Sequence, residues 1–439
     1  MGRNRRFLAF LICGIMVVSL AVCGGDGVAS AGVIELTFTT SLYVEEPHQV
    51  ALDNLLEAYN SINPNVRITI YGAEYDRFWD NLTTEIISGN EADMIQVVPD
   101  FLASYHALRP GGAFVDLSPY MAGKNFEDNL VGQDKAQVDG VTVGLSNYAW
   151  GTTGLFYRKS IMEAAGIDPE SIKNSDDFVE ALRATTGDGV FGMGVVVGPH
   201  AFVVDEWMRF HARAVSGGVF FPEEEGPFTS DNINVNSPEN VWAARWWQGL
   251  IQEGILRPDP DKRNARELYW NGMAAFNMDG PWFIGMTEQR DPAILDDTGL
   301  IPHPDMIYDG RVYKPRPGLS PYITSISTNS AHPDEAWAFM EWMASDEAQA
   351  IIATCGMTPA SRSFAETDAY RAQYPMSYQF LGFMTDNYGS LILSPAIPQY
   401  QELLRVLIDA GQNMYSERAA DPQAELDAAA EIMKAIMDY

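Results

Sequence analysis

Residues 33–100 switch repeatedly between two apolar periods, and that alternation limits the fold more than any other feature of the chain. VIELTFTTS (33–41) has the period-two pattern of a strand and runs into polar residues. HQVALDNLLEAYNSIN (48–63) spaces its apolar residues as a helix does and stops at Asn63-Pro64. VRITIYGAEY (66–75) reads as a second strand and RFWDNLTTEIISG (77–89) as a second helix, stopped by Gly89. ADMIQVVPD (92–100) is a third, buried strand. The order β-α-β-α-β predicts a parallel, doubly wound sheet. Ligands of such sheets sit outside the carboxyl ends of the strands. Here those ends carry residues 41–46, 75–79 and 99–101.

At 439 residues the chain exceeds what one core usually fills, which predicts two lobes. Residues 139–172 hold two extended segments around Tyr148-Ala149-Trp150-Gly151, then a helix start. Extended and helical patterns alternate up to residue 300. The Pro- and Gly-rich stretch 309–322 is a connection. Residues 331–356 are helical with a break near Ser345, and two helices close the chain.

The N-terminus reads as an export signal over residues 1–31: Arg3, Arg5 and Arg6, an apolar run from Phe7 to Cys23, then small residues. A permanent N-terminal anchor is the alternative. Two processing readings stand. Ala29-Ser30-Ala31 fits cleavage after Ala31, whereas Leu20-Ala21-Val22-Cys23 resembles a lipobox with Cys23 lipidated. In either case the mature protein works outside the cytoplasmic membrane, in the periplasm or at the cell surface. Lys and Arg number 28 against 59 Asp and Glu, for a net charge of −31. Such a surface repels nucleic acid and anionic membranes. Of Cys13, Cys23 and Cys355, only Cys355 survives cleavage after Ala31, so no disulfide framework forms. Cys355 reads as a small core residue.

Chemistry-bearing motifs are missing. There is no phosphate loop, no G-x-G-x-x-G after a strand, no H-E-x-x-H and no G-x-S-x-G elbow. No cofactor or metal is expected. Instead, aromatics stand at breaks: Tyr43 after the first strand, Tyr75 and Trp79 around the second turn, Tyr148 and Trp150 in the extended segment. Trp282 follows Gly-Pro, and Tyr322 follows Ser-Pro. Trp242, Trp337 and Trp342 sit on helices and read as packing. Glu46, Asp100, Asn147, Asp279 and Arg362 lie beside the aromatics. Aromatic faces suit the C–H faces of a sugar ring, and charged groups suit its hydroxyl edge. Trp282 is then a stacking platform and Asp279 a hydroxyl acceptor. The alternative for Asp279 is a turn carboxylate that satisfies its own backbone.

Four segments resemble one family. They are ADMIQVVPDFLASYHALRPGGAFVDLSPYM, VGLSNYAWGTTGLFYRKSIMEAAGID, GMAAFNMDGPWFIG and STNSAHPDEAWAFMEWMASDEAQAIIATCGMTPASRS. Together, in this order, they resemble the extracellular solute-binding proteins of ATP-binding-cassette importers, in the sugar-binding, maltose-binding-protein-like group. Arg158 replaces the family's Asn, and SPAIPQYQELL lacks a following aromatic that maltose binders carry, so the resemblance does not single out maltose.

The resemblance implies a two-lobe, type II-like periplasmic-binding-protein fold of class α/β. Each lobe is a doubly wound sheet flanked by helices, joined by crossing hinge segments. Lobe 1 would be 33–146 plus 318–355, and lobe 2 would be 147–317 plus 356–439. Carried over by position, Tyr43, Glu46, Trp79, Asp100, Tyr148, Trp150, Asp279, Trp282, Tyr322 and Arg362 would line the cleft. The implied function is non-catalytic capture of a sugar or oligosaccharide by a monomer and its delivery to permease subunits. Two alternatives remain: a receptor of the same fold for polyamines or other cations, and a secreted glycan-active enzyme.

Overall fold

Strand β1 (Ile34–Thr39) turns Leu36 and Phe38 into the core. It pairs in parallel with β2 (Val66–Tyr71) along its whole length and with β3 (Met94–Val97) at its end. Helix α1 (Glu46–Ile62) links β1 to β2, α2 (Tyr75–Ser88) links β2 to β3, and α3 (Pro99–Ala107) leaves β3. This is the β-α-β-α-β start expected from the periodicity. Helix α1 begins two residues before the apolar pattern does, because Pro47 suits a first helical turn. On one face of the sheet Leu52, Leu55 and Tyr59 of α1 pack on Leu36, Phe38 and Ile68. On the other, Phe78 and Leu82 of α2 pack on Ile95 and Val97. Cover on both faces is why β3 is buried at every position.

Strand β4 (Ala149–Gly151) carries the chain away to a second sheet. That sheet contains β5 (Gly154–Arg158), β6 (Phe191–Val196), β7 (Leu256–Asp259), β8 (Ala274–Asp279) and β9 (Thr298–Ile301), in the order β9-β5-β8-β6-β7. Helix α4 (Lys262–Trp270) connects β7 to β8, and α5 (Trp282–Arg290) follows β8. Strand β10 (Ser320–Pro321) leads back, and β11 (Ile323–Ile326) joins the first sheet antiparallel to β3, giving the order β11-β3-β1-β2. Helices α6 (Pro333–Met343) and α7 (Asp346–Ile352) are separated at Ser345, whose hydroxyl accepts from Ala348 N and caps α7. Strand β12 (Thr358–Pro359) crosses once more. The chain then forms α8 (Arg362–Ala365), α9 (Tyr400–Tyr415) and α10 (Pro422–Met437). Helices α9 and α10 pack Leu403, Leu407, Leu426 and Met433 into the core of the second sheet. The computed structural model describes residues 32–222, 226–388 and 395–438. The export segment, with Cys13 and Cys23, lies outside the described residues.

The passages between the two sheets lie side by side. Strands β10, β4 and β12 form a three-stranded sheet, with Pro321 and Thr358 both opposite Trp150. Two separate sheets joined by adjacent crossing strands make a two-lobe molecule with a hinge. Trp150, in the central hinge strand, is 0% exposed and packs in a cluster with Phe156, Phe283 and Ala353. Trp150→Ala is therefore expected to lower stability by about 3–5 kcal/mol. Urea unfolding would register the loss, and a change well under 1 kcal/mol would mean the hinge is not packed around this ring.

Candidate ligand-binding cleft

The carboxyl ends of β1, β2 and β3 face those of β7 and β8 across a cleft, and side chains of the two lobes meet there. Arg263 of α4 reaches Glu74 at 4.0 Å, and Arg405 of α9 reaches Asp80 of α2 at 3.4 Å. Phe101 of α3 meets Tyr400 of α9 with ring centroids 5.9 Å apart. The Ser104 hydroxyl donates to Pro398 O at 3.1 Å. Near the hinge the backbones touch, since a Cβ on Gly285 of α5 would lie 2.4 Å from Cys355 O.

The floor of the cleft is organised by Asp279, the last residue of β8. It is 0% exposed. Arg266 of α4 donates to it through Nε at 2.8 Å and through Nη2 at 3.1 Å. Asn277 Nδ2 and Gly280 N also donate to it, at 3.2 and 3.1 Å, and so does the indole Nε1 of Trp282. Burial raises the Asp279 carboxyl pKa, but the charges of Arg266 and Lys262 and the bonds from Arg266 and Asn277 outweigh it and hold the group below its ordinary value. Tethered by its nitrogen, the Trp282 ring lies over Gly151 and Gly280. A Cβ on either glycine would approach the ring within 2.6 and 2.3 Å respectively. The indole remains part-exposed.

Glu45 faces this group from lobe 1. It is the N-cap of α1, yet its carboxylate makes no capping bond. The carboxylate interacts instead with Arg266, Asp279 and Glu74, and 32% of its side chain is exposed. Burial pushes its pKa up to about 7; Arg266 opposes the shift, and Asp279 and Glu74 add to it. Behind it, His48 Nδ1 pairs with the Tyr148 hydroxyl at 2.8 Å, while His48 Nε2 stops 3.9 Å short of Glu45. Burial drives His48 down to about 3 and the Cys355 thiol up to about 12, so both are uncharged at neutral pH. Cys355 is a buried core residue, as its apolar surroundings in the sequence suggested.

The residues expected in the cleft divide into four groups. Trp282, Asp279 and Tyr322 meet at the floor, where the part-exposed ring of Tyr322 stands edge-on to Tyr148 at 6.4 Å. Trp79 packs against Phe101 at a tilt, with centroids 4.4 Å apart, near the Phe101–Tyr400 contact, and Asp100 lies in the first turn of α3 beside them. Tyr43 donates its hydroxyl to Asp53 at 2.7 Å, Glu46 is an exposed first residue of α1, and Arg362 opens α8 just past the hinge. Tyr148 and Trp150 differ from the expectation. Both are 0% exposed, because the crossing strands place their rings in the cores rather than on the cleft surface. Asp279 also differs from a free hydroxyl acceptor: its oxygens are taken by protein donors, its own turn among them. Glu45 and Arg266 went unnoticed in the sequence. The helical pattern of α4 gives no sign that Arg266 turns toward a strand end thirteen positions away.

Residues 45–350 match the family model described as bacterial extracellular solute-binding protein. The arabinooligosaccharide-binding protein of Bacillus subtilis is 24% identical over 77% of this chain and 76% of its own length. A solute-binding protein from Thermotoga lettingae, solved with alpha-D-tagatose, superimposes with TM-score 0.78 at 18% identity, covering 92% of this chain and 100% of that one. Maltose-bound MalE3 of T. maritima gives 0.77 at 19% identity over 92% and 100%. At these identities the structural likeness speaks for the fold.

Asp279→Asn would leave Arg266, 15% exposed, with its charge unmatched, at an expected cost of about 3–5 kcal/mol. The sign with pH follows from the lowered pKa. The contribution is complete above the unfolded carboxyl value of about 3.9 and is lost as pH falls through the lower folded value. Urea midpoints of the two proteins should lie far apart at pH 7 and converge toward pH 3. Equal midpoints at pH 7 would show that the ion pair does not hold the floor.

Proposed function

The chain belongs to the family of bacterial extracellular solute-binding proteins, and we propose that it captures a sugar or oligosaccharide between its lobes and hands it to the permease of an ATP-binding-cassette importer. One observation carries the ligand class. Trp282 is laid flat on Gly151 and Gly280, anchored by its nitrogen, beside the carboxylate of Glu45, the guanidinium of Arg266 and the ring of Tyr322. A sugar needs this pairing of an aromatic plane with donors and acceptors at its edge. Two guanidinium groups, Arg263 and Arg266, stand among the acids there, which weighs against a polyamine or other cation. The relatives support the sugar reading, since the similar proteins include binders of arabinooligosaccharide and maltotriose. Capture without turnover fits the family, whose members bind solutes.

Within this reading the site comprises Trp282, Tyr322, Glu45 and Arg266 at the floor. Trp79 and Asp100 line the α3 side, and Tyr43, Glu46 and Arg362 stand at the edges. Tyr148 and Trp150 support the hinge, and Asp279 holds Trp282 and Arg266 in place. We place the lobe boundaries near residues 147, 318 and 356, beside the hinge strands. A family of extracellular proteins places the mature chain outside the cytoplasmic membrane; cleavage after Ala31 or lipidation at Cys23 remains part of the proposal.

Calorimetric titration with a panel of neutral mono- and oligosaccharides, sugar phosphates and polyamines tests the assignment. A neutral sugar should bind, and Trp282→Ala should weaken it at least tenfold, about 1.4 kcal/mol, while Trp282→Phe keeps part of the affinity. Binding of polyamines alone would overturn the sugar class, and a Trp282→Ala variant with undiminished affinity would remove the platform.

A further inference from the structure

The first sheet gives the cleft two unlike ends. Trp282 and Tyr322 pack against the cluster on its α1 face, where Glu45 caps α1. Trp79 and Phe101 pack against the cluster on its α2 face. The floor site and the α3 end thus stand over opposite faces of one sheet, with the carboxyl ends of its strands between them. Rings from both lobes fill the α3 end. Phe101 meets Trp79 at 4.4 Å on its own lobe and Tyr400 of α9 at 5.9 Å on the other. Phe220 backs Tyr400 at 5.8 Å within lobe 2, and Tyr105 lies nearly parallel to Trp79 at 6.2 Å within lobe 1. Tyr400, Phe220 and Tyr105 are buried. The Ser104 hydroxyl donates across the lobes to Pro398 O at 3.1 Å. On the α1 side the lobes meet differently. Tyr43 is part-exposed and Glu46 exposed, and Glu74 and Arg263, which approach to 4.0 Å near Glu45, are both largely exposed. Exposed charges of that kind part at little cost, whereas packed rings do not.

We propose that the cleft is blind at its α3 end: it receives the terminus of a sugar chain, and Phe101 and Tyr400 form the wall that stops the chain from running on. The inference rests on the sugar reading and narrows its ligand class to short sugars and chain ends, leaving out capture along the middle of a long chain. A sugar on Trp282 that carried a further unit toward α3 would have to displace the packed rings or hold the lobes apart. Either forfeits closure contacts that a bare terminus keeps. Units added at the other terminus meet only the exposed groups of the α1 side. Truncating a ring in a packed wall leaves space where its atoms were. Shortening Phe101 therefore opens the wall while Trp282, Glu45 and Arg266 keep their places.

Calorimetric titration with short malto- and arabino-oligosaccharides tests this. Each sugar is used in three forms: free, with an aryl cap at the reducing end, and with an aryl cap at the non-reducing end. The wild type should bind a free sugar and tolerate a cap at one terminus only, the cap at the other weakening it by about tenfold or more. Phe101→Ala should hold the free sugar within a few-fold of the wild type and recover about tenfold or more for the capped form that the wild type refuses. Tyr400→Ala should relieve the same form, and Phe101→Leu, which removes fewer atoms, should recover less. Far-UV circular dichroism and retained binding of the free sugar check that each variant is folded. Equal binding of both capped forms by the wild type overturns the proposal, and so does a refusal that no variant relieves. Failure of every free sugar to bind removes the sugar reading, and the role of the wall falls with it.

Discussion

The pairing of Arg266 with Asp279 is the contact on which the cleft depends. It joins the middle of α4 to the end of β8, so one helix and one strand of lobe 2 present their termini together. A fully buried carboxylate needs such a partner, because an isolated charge there costs several kcal/mol. Once ionised, Asp279 also receives Gly280 N and the Trp282 nitrogen. The ion pair thereby orients an aromatic plane through the bond from Trp282 to Asp279. The glycines complete the arrangement: Gly151 in the hinge strand and Gly280 in the turn leave room for the indole, and a side chain on either would displace it.

The hinge ties this site to lobe movement. Trp150 is sealed into the central crossing strand, and Tyr148 just before it bonds to His48 on α1 and packs in the core of lobe 1. Gly285 and Gly356 bring α5 and the last crossing into backbone contact. Lobe 2 therefore delivers its binding residues on elements that begin at or lean on the hinge. Bending there changes the distance between Glu45 and Arg266 without dismantling either lobe. Rim contacts such as Glu74–Arg263 and Asp80–Arg405 are between largely exposed groups, and pairs of that kind contribute little.

Much of the fold was legible because its signals are local. The strand and helix periods of residues 33–100 reappear as β1 to β3 with α1 and α2, and Ser345 breaks α6 from α7 as a cap residue should. The Gly-Pro-Trp turn was legible as a place where a ring is set at a strand exit. The placement of individual rings was not. Tyr148 and Trp150 stand in an extended, Gly-bounded segment much as cleft aromatics do. They are buried because Pro321 and Thr358, remote in sequence, pair beside Trp150. Glu46 was favoured over Glu45 by position alone. The turn into α1 separates them: Glu45, as N-cap, has extended backbone and a half-buried carboxylate, whereas Glu46 is exposed. Arg266 carried no local signal, since its role exists only once α4 lies against the end of β8.

The central claim is that a sugar sits between the lobes on the plane of Trp282. A crystal structure of the mature protein grown with a sugar that binds in solution tests it most directly. Ring density is expected against the exposed part of the Trp282 indole, with hydroxyls within hydrogen-bonding distance of Glu45 and Arg266. Density confined to the Trp79–Phe101–Tyr400 end, or outside the cleft, would contradict it.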